Sequence, residues 1–123
     1  METGLSYTSR LTVTSENTAA HMGSGDLLVL ATPSLVALME NAALNAVASH
    51  LPEGCTTVGG YIQTSHIKPT GSGHIVQATA TLTSVEGRKL TFDIAAHDEE
   101  GLVGEGKHIR FIVDREKFLK KIQ

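Results

Sequence analysis

Residues 31–54, ATPSLVALMENAALNAVASHLPEG, decide the fold. Thr32 is a suitable helix cap and Pro33 a suitable first helical residue, where its missing N–H costs nothing. Leu, Val and Ala fill the following turns, and Pro52 with Gly54 stops the helix near His50. About eighteen residues give a rod of roughly 27 Å, long enough to organise a small domain. Glu40 stands in its middle with no Lys or Arg within a turn on either side. At 100° per residue, Ser34, Asn41, Asn45 and Ser49 form a polar arc about 80° wide, and Glu40 lies about 135° from its centre. Its helical neighbours are Val36, Ala43, Leu44 and Val47. Either the carboxylate reaches solvent at the helix edge, or it pairs with a distant cation such as Arg88 or Arg110, or it does chemistry. An ionised carboxylate buried without a partner costs several kcal/mol, so such groups gravitate to general-base or nucleophilic roles.

Beyond the helix the period falls from 3.6 to 2. Residues 56–69, 74–86, 89–98 and 102–113 read as strands joined by the short glycine-bearing turns TGSG, EGR and DEEG, which predicts a meander of antiparallel hairpins. In KLTFDIAAHD, Leu90, Phe92, Ile94 and Ala96 share one face; in 74–86, Val76, Ala78, Ala80 and Leu82 do, with a small central pair that admits a close helix. Residues 5–14 suit a first strand and 15–25 a loop, while Asp114 can cap a final helix over 115–122. The expectation is a single domain spanning residues 1–123, of α+β class, with a sheet curled around one helix. The sheet's free edges favour dimerisation.

Composition removes several classes. The net charge is −3 and the ten Lys and Arg are scattered except in DREKFLKK, which argues against a nucleic-acid surface. The single Cys55 leaves no internal disulfide and no cysteine metal cage, and no histidine pair has zinc spacing, so no metal is expected. No apolar run approaches the ~20 residues that span a bilayer, and METGLSYTSR lacks a signal-peptide core, so a soluble cytoplasmic protein is expected. His66 falls late in the 56–69 strand, as either a partly exposed histidine or a proton carrier. Gly59 and Gly60 mark either a bulge or a close ligand approach, and so do Gly104 and Gly106 beside His108 and Arg110.

ATPSLVALMENAAL, GGYIQTSHIKPTGSG, SVEGRKLTFDIAAHD and GEGKHIRFIVDREKF resemble the hotdog-fold acyl-CoA thioesterases related to fluoroacetyl-CoA thioesterase, over roughly residues 26–118. The resemblance implies a hotdog fold, a curved antiparallel sheet wrapped around one long helix, in a homodimer that binds acyl-CoA at its interface. It implies a catalytic group of Thr32, Glu40 and His66, an oxyanion donor at Gly59 with Gly60 beside it, and an arginine at Arg110 lining the site. No cofactor is implied beyond the coenzyme A carried by the substrate. Fluoroacetyl-CoA thioesterase has an aromatic lid ahead of the threonine, whereas ENTAAHMGSGDLLVL (16–30) has no aromatic residue, so a short- or medium-chain acyl-CoA or acyl-carrier thioester is the expected substrate. The competing readings are a hotdog protein that binds acyl-CoA without turnover and, further off, a hydratase or dehydratase.

Overall fold

The computed structural model describes residues 1–123. Strand β1 (Ser6–Thr12) leads through a four-residue helix α1 (Ala19–Met22) to the long helix α2 (Thr32–Val47). Strands β2 (Cys55–Thr64), β3 (Ile75–Glu86), β4 (Lys89–Asp98) and β5 (Gly101–Asp114) come next, and α3 (Arg115–Lys121) closes the chain. All strands join one curled antiparallel sheet in the order β1-β3-β4-β5-β2.

Three strands form the expected meander, but the fourth does not. β2 pairs with β5 at one edge of the sheet, three strand spacings or about 14 Å from β3. Residues 65–74 make that crossing, a span far longer than a hairpin turn. TGSG correctly signals a reversal, yet nothing in a tight turn says which strand the chain has just left. The segment read as a loop at 15–25 contains α1, capped by the Thr18 hydroxyl and ended by Gly23 at φ 77.

The alternating faces behave as their periods require. Val76, Ala78, Ala80, Leu82, Leu90, Phe92, Ile94 and Ala96 are all buried, and α2 lays Leu35, Leu38, Met39, Ala42, Ala43, Ala46 and Val47 on them. Burial of each large side chain contributes about 1.5–3 kcal/mol. The helix packs chiefly over β1 and β3, where Ala78 and Ala80 admit it, and much less over β2. The β5–β2 half of the inner face is therefore left for polar groups.

The 65–74 crossing is tied down by Asp98 at the start of the β4–β5 turn, whose side chain is only 3% exposed. Burial opposes its ionisation, but hydrogen bonds from Lys68, the Glu100 N–H and Thr70, with the Lys68 charge, outweigh burial and hold the carboxyl at about 2. A depressed carboxyl pKa contributes stability that is complete above the unfolded value of 3.8 and is lost as pH falls towards 2. The stability gap between the native protein and Asp98→Asn should thus be constant above about pH 4 and close between about pH 4 and 2. Urea titrations across that range measure it; a gap that stays constant to pH 2 contradicts the assignment.

No helix is long and apolar enough to cross a membrane.

Candidate active site

The start of α2 departs from the cap reading. Ala31 is the N-cap, extended at φ −68 and ψ 140 with no side-chain cap bond, and Thr32 is already helical. Its hydroxyl is instead 2.7 Å from His66 Nδ1. The Thr-Pro signal located the helix start but not the hydroxyl's partner, because His66 is 34 residues away in sequence.

His66 lies just beyond the end of β2 rather than within it, on backbone held to β5 by Ser65 N–H to Glu105 O (3.1 Å) and Ile67 N–H to Val103 O (2.8 Å). Burial lowers its pKa below the ordinary 6.5, with the Lys68 backbone opposing the shift, and so favours the neutral ring. Its Nε2 is buried and has no partner. Beside the pair opens a cleft of about 270 Å³ lined by Val29, Leu30, Thr32, His66, Ile67 and Pro69, with Ala19 of α1 at its margin. Leu28 nearby is 70% exposed.

Glu40 belongs to a second cluster. It is half-buried and makes no ion pair, so neither Arg88 nor Arg110 neutralises it directly. Its carboxylate faces Gly59: a Cβ there would meet Glu40 Oε2 at 3.0 Å, His108 Cε1 at 3.4 Å and Arg110 Nη1 at 3.7 Å. Any side chain at residue 59 would fill the space above the carboxylate. Gly60 sits at a register shift between Gly59 and Tyr61, a β-bulge, and a Cβ on it would strike the Phe111 ring at 2.5 Å.

Beneath them lies a network of His108, Arg110 and Thr57, of which the sequence reading named only Arg110 as a residue of the site. His108 is buried; its Nδ1–H donates to the Tyr61 carbonyl (2.8 Å) and its Nε2 accepts from Arg110 Nη1 (3.2 Å). Arg110 Nε donates to Thr57 Oγ1 (2.7 Å) and Nη2 to the Thr57 carbonyl (2.9 Å). Burial lowers both the His108 and the Arg110 pKa, and the Glu40 charge works against that in both. The guanidinium is thus largely committed to the protein, placing a cation below Gly59 and Glu40. His108 and Arg110 alternate on the inward face of β5, and a polar pair at inward positions was the available signal for it.

Gly104 borders a β-bulge, a register shift between Ala96 and His97 that leaves Val103 as an extra residue of β5, and with Gly106 it serves a further purpose. Added Cβ atoms would lie 2.2 Å from Ser65 O and 1.9 Å from Gln63 O, so the glycines let the end of β2 press onto β5 just ahead of His66.

The chain therefore holds two separate clusters, Thr32–His66 and Glu40–Gly59. Eight helical residues separate Thr32 from Glu40, about 12 Å along the axis. The Glu40 charge acts on His108 and Arg110 and is not among the influences on His66. No three His, Cys, Asp or Glu side chains gather as a metal site.

A family profile described as fluoroacetyl-CoA-specific thioesterase matches residues 13–116. The chain belongs to that family. It is 40% identical over 95 residues to the fluoroacetyl-CoA thioesterase of Streptantibioticus cattleyicolor, covering 77% of this chain and 68% of that protein. A point mutant of a fluoroacetyl-CoA thioesterase in complex with acetyl-CoA superposes with a TM-score of 0.93 at 34% identity, over 99% of this chain and 96% of that one. A hot-dog-like protein from Thermanaerovibrio acidaminovorans matches at 0.90 and 23% identity, over 99% of this chain and 90% of the other, which bears on the fold alone. The fold is the hotdog, and the chain is a hotdog-fold thioesterase by family.

Proposed function

We propose that this protein is an acyl-CoA thioesterase that hydrolyses short- or medium-chain acyl-CoA to the free acid and coenzyme A at centres shared between two copies of the chain. The observation that carries the reading is the presence of both half-sites in a member of a thioester-hydrolase family: a Thr32–His66 pair bonded at 2.7 Å and a carboxylate facing a glycine gap. Their separation within one chain supports a composite centre, with Thr32 and His66 from one copy and Glu40 and Gly59 from the other. Strand β2 supports it further, being a sheet edge with Gly59 exposed and Tyr61 52% exposed.

In this mechanism Glu40 either attacks the thioester carbonyl, giving a mixed anhydride, or takes a proton from the attacking water. The Gly59 N–H receives the developing oxyanion. Bonded to the Thr32 hydroxyl through Nδ1, the neutral His66 accepts at Nε2 the proton that the water gives up, directly or by way of Glu40, and passes it to the thiolate, so the carbon–sulfur bond breaks to a thiol and the ring returns to its starting form. Hydrolysis in ¹⁸O water under single turnover tests the anhydride: label in Glu40 requires it, whereas label in the product alone arises from the water route or from water attacking the acyl carbon of the anhydride. The segment 16–30 ahead of Thr32 has no aromatic residue, so the fluorinated substrate of the relative is not carried over to this chain. No cofactor is invoked beyond the substrate's own coenzyme A, and the lone Cys55 suits a reducing cytoplasm.

A panel of acyl-CoA esters assayed for thiol release tests the activity, and acyl-CoA bound tightly with no thiol released would favour the binding-protein reading. Sedimentation should give a dimer. Mixing the inactive Thr32→Val and Glu40→Gln proteins and allowing subunit exchange should restore hydrolysis, because a mixed dimer then owns one intact centre; no recovery in demonstrably mixed dimers refutes the shared centre.

The lowered His66 pKa places its free-base form over a wider pH range than an ordinary histidine. The acid limb of kcat/KM should therefore fall below pH 6.5, and a limb above that value would exclude His66 as the titrating group.

A further inference from the structure

We propose that Asp98 is a positioning residue for thioester hydrolysis, fixing through Lys68 and Thr70 the backbone that holds His66 against Thr32. The proposal rests on the reading that this pair works in catalysis. Asp98 touches neither member of it. Its Oδ1 accepts from the Glu100 N–H (2.8 Å) and the Gly101 N–H (3.1 Å), which ties it to its own turn. Its Oδ2 accepts from the Lys68 ammonium and from Thr70 Oγ1 (2.9 Å), which ties that turn to the crossing segment.

Thr70 extends the tie in the other direction. It is buried, and its carbonyl accepts the Leu30 N–H at 2.9 Å, two residues before Thr32. One carboxylate thus braces the segment after His66 and, through Thr70, the segment before Thr32. The Thr32–His66 bond joins residues 34 apart, with Thr32 on the surface, so its length depends on the register of these two segments. Backbone bonds to β5 secure the crossing segment as far as Ile67, and Asp98 secures Lys68 and Thr70 beyond it. A carboxylate suits the task because one oxygen can receive an ammonium and a hydroxyl while the other receives two backbone amides.

Asp98→Asn separates the brace from the turn. The amide oxygen can still accept the two backbone N–H groups, while an NH₂ now faces Lys68 and Thr70 and the charge is gone. Misplacement of reacting groups by about 1 Å costs up to ~100-fold, so kcat for acyl-CoA should fall about 10- to 100-fold with KM within about twofold. The ¹⁵N shift of His66 Nδ1 should move towards its value in Thr32→Val, where the bond is absent. Thr70→Val, which loses only the hydroxyl, should move both readouts the same way by less, and it serves if Asp98→Asn does not fold. A folded variant with the native shift and native kcat overturns the proposal. The shift is read without turnover: if it moves in a protein that hydrolyses no thioester, the brace stands and the proposed activity fails.

Discussion

Glu40→Gln should reduce kcat/KM for acyl-CoA by about a thousandfold or more while leaving the protein folded, since the proposed role as base or nucleophile is one an amide cannot fill. The substitution keeps volume and shape. Glu40 has no ion pair to lose, and its half-buried side chain faces Gly59 and is not part of the apolar core. Thermal stability should change modestly, by about 1–2 kcal/mol at most, through loss of the charge that acts on the buried Arg110. A carboxylate needed for folding would instead lose stability and activity together. Thiol release and a melting curve on the same sample decide between the two, and a variant with more than about a tenth of native activity would remove Glu40 from the chemistry.

Gly106→Ala should have the largest effect on stability. Its Cβ would lie 1.9 Å from Gln63 O and 2.7 Å from Thr64 Cα, both backbone atoms, so no rotamer change relieves the clash. The end of β2 must move off β5, with a cost of about 3 kcal/mol or more and a drop in Tm of about 10 °C. His66 comes two residues after Thr64, so hydrolysis should weaken even where the variant stays folded. Gly71→Ala is the control: its φ is not positive and an added Cβ meets nothing within 4 Å, so stability should stay within about 0.5 kcal/mol. Equal melting temperatures for the two variants would show that the approach of β2 to β5 is looser than described.

Much of the fold was legible in the residues. Strand 89–98 is found with its expected bounds, its four inward side chains are buried, and the Asp114 cap starts α3 as expected. The site was legible in parts. The Glu40 carboxylate stood out because helical geometry put it off the polar arc, and the resemblance joined it to Thr32 and His66. The His108–Arg110–Thr57 network showed in the sequence only as a polar pair at inward positions of β5, and the Asp98 brace has no local signature, since it joins residues that are ordinary where they stand.

Periodicity, proline and glycine act over a few residues, so the order of amino acids was enough to place the long helix, the strands and most of the turns. The same periods set which strand faces are apolar, and hence that the sheet closes on α2. Three pairings needed the folded chain: β2 against β5, the Thr32 hydroxyl on His66 rather than on the helix end, and the Glu40 carboxylate facing Gly59. Each joins segments far apart in sequence, 34 residues in the case of Thr32 and His66. Their partners are chosen by where α2, packed over β1 and β3, leaves room on the β5–β2 half of the sheet. That room belongs to the closed fold, and no single stretch of the chain contains it.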